Sequence, residues 1–360
     1  MPWSTPTLKT VRSLVRDSIR GNLPGADASI PNSVLRVMSD CMGALCHLTL
    51  QYIDWLALQL IPDTAETEWL DRHGNIWLVN ADGTTGRKLP TLAEGTVTMV
   101  GIGGTVVPFG TQLQKSGLVG YETTEQIVLL SDAPTPVPTR ALDPGSAGNL
   151  DPGDTLGVVS SVSGLTGEVT VVTMDGGTDE ETDDQLRFRV LKRIREPPMG
   201  GDKTDYEQWS LAVAGCTRAW ASPLEMGMGT VTVRVMFDDL RAYQDGFPTE
   251  IDLEAVRTYL DTVRPVAVKD YWVLSPIKQY VHVDLSNLVP DNDAVRGGIE
   301  ASLQAMLLEK ASPGQTIYAA WKSYAVMSAP DVVSFDMTNN EDDVMASPGH
   351  MAVLGDIYYA

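Results

Sequence analysis

The sequence predicts a multidomain α+β protein with amino-terminal helices, a central antiparallel β-rich domain and carboxyl-terminal α/β sandwich modules. A chain of 360 residues is longer than one hydrophobic core usually serves. Apolar residues recur at helical spacing in the first part and at strand spacing from residue 95. An acidic turn and a basic helix then separate the β-rich part from alternating helices and strands. We therefore expect domains at 1–94, 95–174, 175–275 and 276–360.

Two amphipathic helices are predicted near the start, at 7–20 and at about 33–60. In the second helix one apolar seam follows three-four spacing: Leu35, Met38, Met42, Leu45, Tyr52 and Leu56. A second apolar line runs beside it: Val34, Cys41, Leu48 and Trp55. Together they cover well over half the circumference, more than one buried stripe requires. Either the chain buries this helix on two sides itself, or the helix joins a bundle with partner subunits.

The middle of the chain is predicted to be all-β. From residue 95 to residue 172 short runs with period-two alternation are separated by Gly- and Pro-containing turns, which indicates an antiparallel sandwich or barrel. Pro134, Pro136 and Pro138 lie in one of these runs. Because proline cannot donate to a β-ladder, they predict an edge strand or an exposed connection.

A structural junction is predicted between Asp175 and Gly201. Acidic residues precede basic ones, which complements a helix dipole, and Pro197 and Pro198 end the helix. Capping-box spacing occurs twice, as Thr178 with Glu181 and as Thr182 with Gln185. The sequence therefore allows two alternative first residues for this helix. The junction residues singled out are Gly176, Gly177, Thr178, Glu181, Arg187 and Arg189. We expect Gly177 to be required because the turn needs a positive φ.

Beyond the junction the pattern is helix, hairpin, helix and strand, typical of a small α+β sandwich. The last strand of this unit is predicted at 266–276. A comparable unit follows, with a strand from 278, a helix at 291–310, a second helix at 316–327 and two final strands.

Composition excludes several classes of function. A formal net charge of −21 argues against nucleic acid and against an anionic membrane surface, since both need a basic face. The cysteines, Cys41, Cys46 and Cys216, are too few and too unevenly placed for a disulfide framework, which fits a reducing compartment. The start lacks the apolar core of a signal peptide, and no window reaches eighteen uninterrupted apolar residues. We expect a soluble protein made in the cytoplasm.

No catalytic, cofactor-binding or metal-binding residue is predicted. The glycines at 101–104 continue into a strand rather than opening a helix, so they do not resemble a phosphate-binding turn. The acidic run at 175–184 lacks the alternating order of a calcium loop. The histidines are scattered, and no Gly-x-Ser-x-Gly elbow occurs. The sequence therefore favours a protein that is not an enzyme.

Several short segments resemble, in order, the baseplate J-like family of contractile-tailed phages, and most closely its Mu-like branch. In the first half they are Pro62-Asp63-Thr64-Ala65, Trp69-Leu70, Val107-Pro108-Phe109-Gly110-Thr111, and Ala147-Gly148-Asn149-Leu150 with Gly153. At the junction they are Gly176-Gly177-Thr178-Asp179, Glu181, Asp184, Leu186, Arg187, Arg189, and Gly200-Gly201 with Asp205, Tyr206 and Trp209. The last are Arg264-Pro265, Pro313-Gly314 and Leu354-Gly355-Asp356-Ile357. The order extends over roughly residues 60 to 357.

The resemblance implies a wedge subunit of a tail baseplate, located in the virion and without catalytic residues. In that family two copies per wedge combine with a second wedge protein through a helical bundle, and a sheath-initiating wedge protein attaches. Carboxyl-terminal regions link neighbouring wedges into a six-fold ring around the spike hub, and host binding releases sheath contraction and genome ejection. By its pattern, the helix at 33–60 is our candidate for the core bundle.

Two other classes of function remain as alternatives. One is a tail-associated protein that degrades the cell wall or binds polysaccharide, in which changing one carboxylate would abolish hydrolysis. The other is a cargo or regulatory protein, which would be absent from purified particles.

Overall fold

The computed structural model describes residues 4–115, 119–130, 133–159, 162–165, 168–265, 268, 270–337 and 343–360. The architecture is α+β and multidomain: a helical region, a six-stranded closed barrel and two three-stranded sheets with their helices follow one another along the chain.

The amino-terminal region contains three helices: α1 (Leu8–Asn22), α2 (Val34–Gln59) and α3 (Thr67–Trp77). The side chains of Thr7 and Ser33 cap α1 and α2 by accepting hydrogen bonds from backbone N–H groups in the first turn. Both helices therefore begin where the sequence places a hydroxyl side chain before an apolar periodic run.

The central β-rich part is a barrel, the second of the two architectures that the sequence allowed. Its order is β1-β6-β4-β3-β7-β8, and every pairing is antiparallel. The barrel strands are β1 (Glu94–Met99), β3 (Gln112–Lys115), β4 (Val119–Thr123), β6 (Thr135–Ala141), β7 (Thr155–Val158) and β8 (Val169–Asp175). Two short strands, β2 (Val106–Val107) and β5 (Ile127–Val128), pair with each other outside it. The interior is filled by side chains such as Val97, Tyr121 and Met174.

Pro134 lies in an exposed connection, as one of the two predicted alternatives states, whereas Pro136 and Pro138 belong to barrel strand β6, which is not an edge strand. Strand β6 pairs with β1 along its whole length, including Pro136 and Pro138. On its other side β4 pairs only with residues 139–141, and Thr124 N donates to the Pro138 carbonyl. The backbone nitrogens of Pro136 and Pro138 thus face the side on which β4 no longer pairs with β6. Because no β4 carbonyl needs a donor there, the lack of an N–H in proline costs no ladder hydrogen bond.

The part after the barrel has the predicted order of helix, hairpin, helix and strand. It contains α4 (Asp183–Arg195), α5 (Lys203–Ala212), β9 (Arg218–Pro223), β10 (Thr230–Met236), α6 (Glu250–Val263) and β11 (Asp270–Leu274). Strand β10 lies in the middle, antiparallel to β9 and parallel to β11. Residues 266, 267 and 269 of the predicted strand lie outside the described residues.

The last unit repeats this sheet pattern with a different chain order. It consists of β12 (Ile277–Val289), α7 (Asp293–Lys310), α8 (Ala319–Ser328), β13 (Ser334–Met337) and β14 (His350–Tyr359). The middle strand β12 is antiparallel to β13 and parallel to β14. One apolar cluster joins the two units, because Met236 and Phe247 pack with Val281 and Met351.

Candidate assembly interface

Helix α2 exposes most of its apolar surface. Of its 26 residues only Ser39, Gly43 and Gln59 are buried. In the predicted seam Leu35 and Leu56 are partly buried. The other four seam residues are exposed: Met38 53%, Met42 58%, Leu45 66% and Tyr52 60%. In the second line Val34 and Leu48 are exposed by 73% and 61%.

The contact of α1 with α2 explains why these residues stay exposed. Asp40 of α2 forms ion pairs with Arg16 of α1 at 2.5 Å and with Arg36 of its own helix at 3.0 Å. Hydrogen bonds from these two guanidinium groups lower the pKa of the Asp40 carboxyl. Gly43 lies against Arg12, whose Cγ would be 2.9 Å from a Cβ added there. Because α1 packs on small and charged residues, the interpretation that the chain itself buries α2 on two sides is wrong.

The carboxyl end of α2 is held by aromatic contacts to the next helix. The Trp55 ring lies 5.6 Å from Tyr52 and 6.3 Å, edge on, from Trp69 of α3. The Trp55 indole N–H donates to Glu66 at 3.1 Å. These contacts fix the direction in which α2 leaves the rest of the chain.

Helix α4 holds the segments on both sides of α3. Its predicted junction residue Arg187 donates to the carbonyls of Pro62 at 3.2 Å and Ala65 at 2.9 Å. On the opposite side of the helix Arg189 is buried and donates to Glu181 at 2.7 Å and Asn80 at 2.6 Å. The contacts with Pro62, Ala65 and Asn80 tie the helix to segments more than a hundred residues away in sequence.

Of the two possible capping boxes the structure contains the second. Thr182 is the N-cap of α4, and its side chain and that of Gln185 bond reciprocally to backbone N–H groups. Thr178 instead exchanges hydrogen bonds with Thr91, where the barrel begins. Glu181 accepts from Arg189 and from Lys88 N at 3.0 Å.

The junction glycines Gly176 and Gly177 are required for different reasons, and the positive φ predicted for Gly177 is found at Gly176. Positive φ occurs at Gly176, at 85°, and not at Gly177. Gly177 is buried instead, and a Cβ added there would lie 2.5 Å from the Gly145 carbonyl oxygen and 2.9 Å from Asn149 Oδ1. The expectation of positive φ at Gly177 is wrong, and close backbone approach is the reason for the glycine.

The described residues contain neither a metal-binding cluster nor a membrane-spanning helix. Among the described residues, no three His, Cys, Asp or Glu side chains are arranged to hold a metal ion. Within the same part of the chain, no helix is both long and apolar enough to cross a bilayer.

Comparison with known proteins gives the family. The barrel matches the family of the Baseplate J-like protein barrel domain over residues 96–177, and residues 198–275 match the Baseplate J-like central domain. The Mu-like prophage FluMu protein gp47 of Haemophilus influenzae is 30% identical over 99% of this chain and 99% of its own length. The chain belongs to the baseplate J-like family of Mu-like phages.

The chain is also similar to a baseplate protein of another phage and to a chain in a solved baseplate structure. Baseplate protein gp47 of Escherichia phage Mu is 31% identical over 72% of this chain and 70% of its own length. The cryo-EM structure of the anti-feeding prophage baseplate contains a chain with a TM-score of 0.48 and 10% identity, covering 98% of this chain and 99% of that one.

Sequence reasoning missed two basic residues that hold this baseplate J-like chain together at the junction. Lys88 Nζ donates to the carbonyls of Val213 at 2.8 Å and Cys216 at 2.9 Å, and burial lowers its pKa to about 8. Arg241, 2% exposed, pairs with Asp175 at the end of β8 and with Asp252 in α6. Neither residue lies in a motif, because their partners come from distant segments.

Proposed function

We propose that the chain is a structural subunit of a phage-tail baseplate, and more specifically a wedge subunit rather than an enzyme. Membership in the baseplate J-like family and the baseplate relatives support the general assignment. The observation that supports the assignment as a wedge subunit is the exposed apolar surface of α2. Such a surface on an isolated chain is typical of a protein–protein interface.

In the proposed wedge, α2 packs in a helical bundle with a second copy of the chain and with a second wedge protein. The helix is about 39 Å long at about 1.5 Å per residue, long enough for several turns of contact. A sheath-initiating wedge protein attaches to the wedge, and the carboxyl-terminal unit contacts neighbouring wedges in a six-fold ring around the spike hub. The subunit assembles in the host cytoplasm and remains in the virion.

The mechanism of such a subunit is a change of contacts rather than a reaction. Host binding at the tail tip favours one of two alternative sets of subunit interfaces, and the change releases sheath contraction and genome ejection. In this scheme the junction at α4 keeps the barrel and α2 in a fixed relation while the interfaces change.

The test is assembly with α2 variants. Leu45→Asp and Tyr52→Asp each place an unpaired charge in the proposed bundle, so we expect the complex with the other baseplate proteins of the same phage to weaken by about a hundredfold or more. The proteins are coexpressed, and the mass of the purified complex is measured by light scattering after size exclusion. The isolated variants should keep the circular dichroism of the parent.

The matched control is Leu130→Asp, which places the same charge in the connection between β5 and β6 at a leucine of similar exposure, 62% against 66% at Leu45. It should assemble as the parent does. Normal complexes with both α2 variants would show that the seam is not an interface.

A further inference from the structure

Strand β14 has one unpaired edge. It pairs with β12 from His350 to Tyr359, with a register shift at Gly355 and Asp356, and none of the described strands pairs with its other side. On that side, among the described residues, only the first residue of the strand has a backbone partner, since Gly314 N donates to the His350 carbonyl at 2.8 Å. An unpaired edge offers a row of N–H and C=O groups to an added strand.

This edge lies in a groove. Two adjoining grooves of about 690 and 470 Å³ follow β14: residues 351–355 line the first, and residues 354–357 with Tyr359 line the second. Helix α7 forms one wall of both, and residues 238–247 contribute to the first. The edge is therefore recessed, so it is accessible to a single extended chain more readily than to the edge of another sheet.

The wall formed by α7 leaves room for such a chain. Gly297, Ala301 and Ala305, spaced four residues apart on one face of the helix, line the groove. A Cβ added at Gly297 would meet no atom within 4 Å. The rim of the same helix carries the carboxylates of Asp293 and Glu300.

The groove is acidic. Its lining includes six carboxylates: Asp238, Asp239, Asp245, Asp293, Glu300 and Asp356. Two of these six are already ion-paired, Asp238 with Arg218 at 2.7 Å and Asp245 with Lys278 at 2.6 Å. The other guanidinium group of the lining, Arg296, pairs with Asp291 at 2.7 Å. Among the described residues, Asp239, Asp293, Glu300 and Asp356 form no ion pair with a lysine or an arginine and carry the free negative charge of the groove. Apolar side chains such as Phe247 and Leu308 lie between the carboxylates.

We propose that this groove binds an extended segment of a different protein, with alternating apolar and basic side chains, which adds a strand to β14. The main-chain groups of the edge would supply the hydrogen bonds, and the carboxylates would select lysine and arginine. A second copy of the chain does not fit, because its own β14 edge is equally recessed and carries the same negative charge. The proposal is independent of the α2 bundle and adds a second mode of linkage between subunits.

The experiment uses the full chain and a fluorescent nonapeptide of alternating valine and lysine, matched in length to residues 351–359. Binding is followed by fluorescence anisotropy, and amide hydrogen exchange of β14 is measured with and without peptide. We expect saturable binding with slower exchange in β14. A peptide with glutamate in place of lysine, and one with alternate backbone nitrogens methylated, should each bind at least about tenfold more weakly.

Variants locate the site. Glu300→Lys should weaken binding of the lysine peptide about tenfold or more, and Gly297→Leu should weaken it similarly by filling the groove. Glu309→Lys, at an exposed carboxylate of the same helix outside the groove lining, should leave binding unchanged. Since these variants leave α2 intact, a failure here is distinguishable from a failure of the wedge assignment.

Three results would overturn the proposal. One is equal binding of the lysine and methylated peptides, which would mean adsorption by charge alone. Another is lack of binding by the lysine peptide, or binding that Gly297→Leu does not change. The third is a dimer of the chain alone in which β14 amides are already protected, because the occupant would then be a second copy.

Discussion

At the scale of single residues, the junction shows how a short motif is used by distant partners. Thr178 and Glu181 have the spacing of a capping box, but their side chains bond to Thr91, Lys88 and Arg189. The cap therefore passes to Thr182. The sequence predicts that a cap exists here, whereas which of two candidates forms it depends on contacts that local spacing does not encode.

Gly177→Ala should destabilise the chain by about 1–3 kcal/mol, because the new methyl group collides with the Gly145 carbonyl and with Asn149 Oδ1. Gly176→Asn is the matched control: its φ is positive, but an added Cβ meets no atom within 4 Å and asparagine tolerates this region. Urea unfolding of both variants measures the difference. A larger loss at Gly176 would restore the positive-φ explanation.

The lowered pKa of Lys88 should make the stability of the folded chain depend on pH. Its pKa in the folded chain, about 8, lies below the ordinary 10.5, so the folded state binds fewer protons than the unfolded state between these values. This residue's contribution to the free energy of unfolding should therefore rise as pH increases from 8 to 10.5. We expect a rise of at most about 3 kcal/mol, since each unit of difference between the two pKa values corresponds to about 1.4 kcal/mol.

The measurement is urea unfolding of the parent and of Lys88→Met across this pH range. Taking the difference between the two chains removes most of the effect of other groups, including Cys216, whose pKa burial raises to about 12. The stability of the parent relative to the variant should increase with pH. A constant difference would mean that Lys88 has an ordinary pKa.

At the scale of elements, periodicity predicts the helices and strands well and their neighbours less well. Helix α2 was expected at about 33–60 and extends from Val34 to Gln59. That α1 would pack on Ser39, Asp40 and Gly43 could not be inferred, because apolar pattern identifies faces that need cover and not contacts made by small or charged residues. Propensity predicted an edge strand for Pro136 and Pro138, but they lie in the barrel wall, because the β4 ladder ends before it reaches them.

The contact between the first two helices gives a prediction at this scale. Gly43→Val adds atoms where a Cβ is already 2.9 Å from Arg12 Cγ and 3.1 Å from Arg12 Cα, so α1 should be displaced from α2. Amide exchange in α1 should become faster, and exchange in the barrel should not change. Gly21→Val, at a glycine of α1 with no atom within 4 Å of an added Cβ, is the control and should leave the contact intact. Unchanged exchange in α1 of Gly43→Val would mean that the helices do not pack through Gly43.

At the scale of the whole molecule, the chain combines a rigid junction with an exposed helix and a recessed strand edge. The ion pairs of the junction join the barrel to the unit that follows it, through residues that no motif marks. The proposed docking surfaces are α2 and the groove beside β14, whose lining includes Asp239 and Ala242 next to Arg241. The excess of apolar residues in the sequence predicts the surface on α2. The groove beside β14 could not be predicted, because which strand lies at the edge of a sheet follows from the strand order, and the sequence alone does not give that order.

Arg241 is the residue whose loss should uncouple these units. In Arg241→Met the carboxylate of Asp252, 5% exposed, loses its charged partner, and Asp175 of the barrel is no longer linked to α6. Removing one partner of a buried ion pair costs about 3–5 kcal/mol. The pair of Arg140 with Glu122 is only partly buried, with side chains 41% and 20% exposed, so its loss should cost about 1 kcal/mol. Hydrogen exchange measured by segment should show β10 and α6 opening before β1 and β8 in Arg241→Met. In the Arg140→Met control the two regions should open together, as in the parent. If they also open together in Arg241→Met, the ion pairs of Arg241 do not couple the barrel to the unit that follows it.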